Sequence, residues 1–146
     1  MVELVPIEKN MDITNITDEP LKTGLNMTLQ FYKKAGYVKP WISYLIKYQN
    51  EYTGTCAFKG APSVNKVEIA YWTFPAYEGK GIATAACSAL VDIARNKDNT
   101  LTITARTLPE TNASTTVLEK NSFILIGTVD DPDDGEVYEW QYKEQL

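Results

Sequence analysis

The chain has 146 residues, 44% hydrophobic and 23% charged, and fourteen basic against nineteen acidic side chains leave a formal net charge of −5. That length suits one domain, residues 1–146, able to bury most of its surface without staples, and the acidity argues against nucleic acid as a partner. There is no histidine, which excludes a His-based triad or His metal site, and neither a membrane-spanning apolar run nor a secretory signal is apparent. The two cysteines, Cys56 and Cys87, fall in a predicted strand and a predicted helix. They read as buried small apolar residues rather than a disulfide or metal pair, and the expected location is the cytoplasm.

Glu3 to Ile7 reads as a short first strand. Thr17-Asp18-Glu19-Pro20 has the marks of a helix start: a capping side chain, acids in the first turn and proline near its first position. Leu21, Leu25, Leu29 and Tyr32 continue at helical spacing, Lys33 and Lys34 suit the last turn, and Gly36 stops it. Gly24 is expected to loosen or break this helix near its start. Trp41 to Tyr48 and Tyr52 to Lys59 alternate as strands joined by a hairpin at Gln49-Asn50-Glu51. Gly60-Ala61-Pro62-Ser63 turns the chain into the next strand.

The stretch from Lys66 to Arg95 organises the rest. Val67, Ile69 and Tyr71 point one way along a strand ending at Thr73, and Glu68, Ala70 and Trp72 the other. Ile82, Ala86, Ala89 and Ile93, with Ala83, Cys87, Leu90 and Ala94 beside them, form a wide apolar helix face for packing on a sheet. Between strand and helix lies Glu78-Gly79-Lys80-Gly81-Ile82-Ala83-Thr84. Unpaired N–H groups at a helix start, glycines that admit a ligand close to the backbone, and the Lys80 charge make an anion site for which a pyrophosphate is the natural occupant. The same glycines also suit a plain tight turn, and the residues leave both readings open. A P-loop is excluded because Gly81 follows Lys80, and a dinucleotide fingerprint because Thr84 stands where a third glycine belongs.

Asn96-Lys97-Asp98-Asn99 ends the helix. Leu101 to Arg106 is the next strand, expected parallel to Val67–Thr73 through a right-handed crossover. Asn112 is placed to cap a further short helix. Phe123 to Val129 and Glu136 to Tyr142 are the last strands, with Tyr138, Trp140 and Tyr142 as core. The acidic loop between them, Asp130 to Gly135, reads as a solvated turn rather than a calcium site. Antiparallel strands feeding a strand–loop–helix unit give an α/β fold with a mixed sheet.

The loop Glu78-Gly79-Lys80-Gly81-Ile82-Ala83 resembles motif A of the GNAT N-acetyltransferases, Gln/Arg-x-x-Gly-x-Gly/Ala after a strand. The run from Asn112 to Phe123, Asn-Ala-Ser-Thr-Thr-Val-Leu-Glu-Lys-Asn-Ser-Phe, resembles motif B in the ribosomal-protein-alanine acetyltransferase branch. The resemblance implies a mostly antiparallel sheet of about six or seven strands with helices on both faces. Its central parallel pair would be splayed, with the coenzyme's pantetheine arm in the gap on backbone groups of Trp72, Thr73 and Phe74. It also implies acetyl-CoA as co-substrate, no metal, a pyrophosphate held by Gly79, Lys80, Gly81, Ile82, Ala83 and Thr84, and a contact from Asn112 beyond its capping role. The first helix would help wall the acceptor site, where Phe31, Tyr32 and Tyr37 touch substrate unless they serve the core. Three residues depart from the family pattern: Glu78 replaces Gln or Arg, Leu118 replaces a common tyrosine, and Ser122 replaces glycine.

Direct acetyl transfer needs a held thioester, donors for its carbonyl oxygen, a neutral amine and a proton for the thiolate. Amines reach the enzyme mostly protonated at pH 7, since an α-amine titrates near 8 and lysine near 10.4, about one to three pH units higher. A carboxylate near the cleft can relay that proton, directly or through water. Glu68 is the candidate, matching the glutamate of the family's Val-Glu-Ile-Gly-Tyr pattern; the competing reading is a salt-bridged surface carboxylate. Backbone N–H groups of the central strand suit the oxyanion. Ser114 is the candidate proton donor, against a plain first-turn serine, with Tyr71 and Tyr77 behind it. The expected function is acetyl transfer from acetyl-CoA to a primary amine, on a small molecule or protein N-terminus, by a monomer or homodimer without membrane partners. The alternative is a weakly active or inactive coenzyme-A-binding sensor or interaction protein of the same fold.

Overall fold

Alternating aliphatic, aromatic and threonine residues build the strands of the computed structural model, which describes residues 2–144. In chain order the elements are β1 (Glu3–Pro6), α1 (Glu19–Ala35), β2 (Ser43–Tyr48), β3 (Glu51–Phe58), β4 (Lys66–Thr73), α2 (Ile82–Lys97), β5 (Thr102–Thr107), α3 (Ala113–Lys120), β6 (Phe123–Asp131) and β7 (Gly135–Tyr142). The seven strands form one sheet in the order β1-β2-β3-β4-β5-β7-β6. Neighbours are antiparallel except β4 and β5, which are parallel because α2 carries the chain back between them. This is the mixed, mostly antiparallel α/β architecture that the element order implied.

Asp18 caps α1 by accepting the Leu21 N–H at 3.1 Å, and the Gly36 N–H closes the other end on the Tyr32 carbonyl at 2.9 Å. Gly24 does not break the helix. It lies where α1 presses on the sheet: a Cβ there would sit 3.2 Å from Thr55 Cγ2 and 3.4 Å from the Trp72 ring. Its small size allows close packing, and that gain offsets its poor helix propensity. The β2–β3 hairpin turns on Gln49 and Asn50 alone, at φ 51° and 65°, as a type I′ turn demands; Glu51 is already paired with Tyr48. Asp130 and Asp131 likewise belong to β6, which pairs with β7 up to Asp131–Gly135.

Strand alternation sorts the sheet into two faces. On one, α2 buries Ile82, Ala86, Cys87, Leu90, Val91 and Ala94 in a core shared with Cys56, Val67, Ile69, Ile103 and Ala105. On the other, α1 buries Leu25 and Tyr32; the Tyr32 hydroxyl donates to the Ile7 carbonyl at 2.8 Å and accepts the Ser43 N–H at 3.0 Å. That second cover is incomplete. On β4, in mid-sheet, Ala70 and Trp72 remain exposed.

Candidate active site

β4 and β5 pair only from Lys66–Thr102 to Ile69–Ala105, although β4 runs on to Thr73 and β5 to Thr107. Past that register the strands part. On its other edge β4 stays paired with β3 up to Gly54–Thr73. The Phe74 N–H donates to the Thr53 carbonyl at 2.9 Å, and the Glu68 carbonyl accepts the Lys59 N–H at 2.8 Å. Main-chain groups alternate in direction along a strand, so residues 68, 70 and 72 turn theirs to β3, as does the Phe74 N–H, and Tyr71 and Thr73 turn theirs to the gap. The three residues expected to line the gap with backbone therefore divide. Thr73 faces it, Trp72 spends its polar groups on β3, Phe74 gives its N–H to β3 and its carbonyl to the Tyr77 N–H at 2.9 Å, and Tyr71 joins Thr73.

Beyond β4 a 3-10 turn, Pro75–Tyr77, leads into the glycine loop. Gly79 and Gly81 sit at φ 78° and 77°, left-handed values that a side chain would strain. Nothing lies within 4 Å of where a Cβ at either would stand. Gly81 is the N-cap of α2, and no side chain caps that helix. The ladder opens with the Ala85 N–H on the Gly81 carbonyl at 3.2 Å, so the N–H groups of Ile82, Ala83 and Thr84 lack intrahelical partners. With Lys80 they line a groove of about 520 Å³ that also reaches Tyr71, Thr73 and α3. Ala113, Thr116, Val117 and Lys120 supply the α3 wall, one stripe at spacing three and four. Sequence reasoning passed over this stripe, although the spacing was there to read. Lys80 and Lys120 set two cations against the exposed Glu78 carboxylate in the same groove.

Ser114 stands half-buried in that wall. Its backbone carbonyl accepts the Tyr71 hydroxyl at 2.8 Å, and burial pushes the Tyr71 phenol well above its ordinary range, so it keeps its proton. The Tyr77 hydroxyl is committed to Glu51 at 2.6 Å. Asn112 is a cap: its Oδ1 accepts the Thr115 N–H at 3.2 Å, its Nδ2 donates to Glu110 at 3.2 Å, and its own N–H donates to Thr115 Oγ1 at 3.0 Å. It is not among the residues lining the groove. Leu118, at the family's tyrosine position, is fully buried.

Glu68 lies elsewhere. It is on the opposite sheet face, one register position before the strands part, in a cleft of about 360 Å³ shared with Phe31, Lys59, Arg106 and Asp131. Its Oε2 is 3.3 Å from Lys59 Nζ and its Oε1 3.9 Å from Arg106 Nε. Arg106 also reaches Asp131 at 3.0 Å and Glu139 at 3.4 Å. The Asp133 backbone N–H, then the Arg106 guanidinium, hold the Asp131 carboxyl below its usual range. Of the three aromatic residues considered for the acceptor wall, Phe31 lines this cleft, whereas Tyr32 is buried and the Tyr37 hydroxyl donates to Glu8. The open strand pair separates Glu68 from the groove that holds Ser114.

Cys87, on the sheet-facing side of α2, is fully buried, and burial pushes its thiol up to about 12, far from a thiolate at neutral pH. Cys87→Ala should therefore cost roughly 1–2 kcal/mol of stability, one buried group plus the cavity it leaves, with turnover intact. Lost turnover in a fully folded variant, with folding checked by thermal melts, would reopen a thiol mechanism.

A parted strand pair leading to an uncapped helix start, with a separate cleft across the sheet, is the arrangement that the two motifs implied for an acetyltransferase fold. The sequence matches the acetyltransferase (GNAT) domain over residues 10–124, and the chain belongs to that family: it is an acetyl-CoA-dependent N-acetyltransferase. No curated protein matches it significantly. Among solved structures, RimL, the ribosomal L7/L12 alpha-N-protein acetyltransferase, in complex with coenzyme A, aligns with a TM-score of 0.70 at 18% identity, over 96% of this chain and 92% of that one. The Salmonella typhimurium acetyl transferase that modifies the N-terminal serine of 50S subunit protein L7/L12 aligns at 0.70 and 16% identity, over 99% and 95%. AAC(6')-Ib with ribostamycin and coenzyme A aligns at 0.61 and 21%, over 71% and 64%. At such identities the likeness establishes the fold alone. Among the described residues no helix is long and apolar enough to cross a membrane.

Proposed function

We propose that this protein moves an acetyl group from acetyl-CoA directly to a primary amine through the β4–β5 opening. The observation that carries the reading is that β4 and β5 part beyond Ile69–Ala105, beside the uncapped start of α2. A linear arm anchored at the loop would run along the Tyr71 and Thr73 backbone toward Glu68. The N–H groups of Gly81, Ile82, Ala83 and Thr84, with Lys80, hold the pyrophosphate. Three or four charge-assisted bonds at roughly 1.5–3 kcal/mol each supply much of the about 8 kcal/mol of a micromolar complex. Main-chain N–H groups facing the gap receive the carbonyl oxygen as it gains charge. Glu68 takes the proton of the incoming ammonium, and the Ser114 hydroxyl in the groove wall protonates the thiolate, with the Tyr71 phenol beside it as second candidate.

The acceptor is a primary amine, on a small molecule or at a protein N-terminus. The relatives span both classes, from the ribosomal-protein enzymes to the complex with ribostamycin. Calorimetry with acetyl-CoA and turnover against peptides with free N-termini, polyamines and aminoglycosides test the assignment. Coenzyme binding without acetylation of any amine would favour the coenzyme-binding sensor.

Glu68→Gln separates base from bystander. Without the carboxylate only the already neutral fraction of the amine reacts, so the rate should fall on the order of a hundredfold. The loss should be steepest at low pH, where that fraction is smallest, and acetyl-CoA affinity should hold. An unaltered pH–rate profile would remove Glu68 from the mechanism.

A further inference from the structure

Lys59 and Glu68 are direct cross-strand partners: the Lys59 N–H donates to the Glu68 carbonyl at 2.8 Å, so their side chains rise from the same sheet face. Nζ stands 3.3 Å from Oε2. The next pair on that face toward the parting is Ala57 and Ala70, two methyl groups, and Ala70 is exposed. Nothing bulkier on β3 or β4 separates the Lys59 ammonium from the point where β4 and β5 open. The Lys59 side chain is 40% exposed, on a flexible four-carbon stem. Lys34 opens onto the same cleft but is not paired with Glu68.

An external amine has to come to the place this ammonium already holds, beside Glu68 on the acceptor side of the opening. Resting on the acetyltransferase reading above, we propose that Lys59 is itself an acceptor, a self-acetylation site of this enzyme. Glu68 removes one proton from the Lys59 ammonium, and the freed lone pair attacks the thioester carbonyl. The N–C bond forms as the C–S bond breaks, and the thiolate takes up a proton. Lysine and acetyl-CoA become acetyl-lysine and coenzyme A thiol, with one proton released to solvent. The modification erases the Lys59 positive charge that stands against Glu68 Oε2. Arg106 then remains as the cation on that carboxylate, and the base is open to an external ammonium.

The protein serves as its own probe. Incubated with acetyl-labelled acetyl-CoA and mapped by peptide mass spectrometry over time, Lys59 should be labelled on the order of a hundredfold faster than the exposed Lys9 and Lys33, the span general-base assistance provides. The rate should not depend on protein concentration, and Glu68→Gln should bring Lys59 down to the background of the other lysines. Labelling at background, or a rate that scales with protein concentration, overturns self-acetylation. Calorimetry on the same sample separates the two readings: acetyl-CoA bound with Lys59 at background overturns the self-acetylation alone, whereas no binding overturns the coenzyme groove and the self-acetylation with it.

Discussion

Gly81→Val is expected to abolish acetyl-CoA binding in a protein that remains folded. Gly81 occupies the left-handed region at φ 77°, where a side chain costs roughly 1–2 kcal/mol, a tolerable fraction of about 5–15 kcal/mol of total stability. Its missing Cβ points into open space, so the folded protein alone offers no clash. The loss falls on the ligand: a branched side chain fills the approach to the first-turn N–H groups of α2 and tilts the cap residue away from its present dihedrals. Forfeiting two charge-assisted bonds at roughly 1.5–3 kcal/mol each lowers affinity by about two to four orders of magnitude, at 1.4 kcal/mol per decade. Calorimetry checks this, and unchanged affinity would refute the loop assignment.

Gly54→Ala should strike stability first. Gly54 follows a bulge at which β3 gains one residue on β2, with Ile46 opposite Gly54 but Lys47 opposite Tyr52. The extra Thr53 anchors its hydroxyl to the Ile46 carbonyl at 3.1 Å. A Cβ on Gly54 would overlap the Trp72 carbonyl oxygen and stand 3.0 Å from the Thr73 Cα. Those neighbours are backbone and have no rotamer to escape into. Either the β3–β4 ladder parts or the bulge shifts, at about 3 kcal/mol by the overpacking scale. For a chain of this length that lowers the melting temperature by roughly 6–12 °C. The strand displaced is the one whose Tyr71 and Thr73 face the gap, so coenzyme affinity should fall too. A wild-type melt would show that the chain accommodates the methyl group.

Much of this architecture was legible because the signals are local. Asp18, Pro20 and Gly36 bracket α1, the Gln49-Asn50 turn announces its hairpin, and Gly79 and Gly81 flank Lys80 before an apolar helix. Alternation along Lys66–Thr73 likewise put Glu68 on the face opposite Tyr71. What was not legible depends on register and on main-chain direction. No sequence pattern told which of Tyr71, Trp72, Thr73 and Phe74 would spend its N–H on β3. Asn112 was expected to cap a helix and also to contact the coenzyme; its hydrogen bonds to Thr115 and Glu110 show the cap. Gly24 read as a flaw in a helix until the sheet beneath it came into view.

The amino-acid order by itself determined the elements, the glycine loop at the start of α2 and the family, since capping, periodicity and glycine dihedrals act over a few neighbouring residues. Only the tertiary structure decided where β4 leaves β5, and that the Glu68 carboxylate shares its cleft with Lys59 and Arg106, residues brought to it from other strands. Pairing between strands is set by packing across the whole sheet, and no local stretch of sequence carries that information.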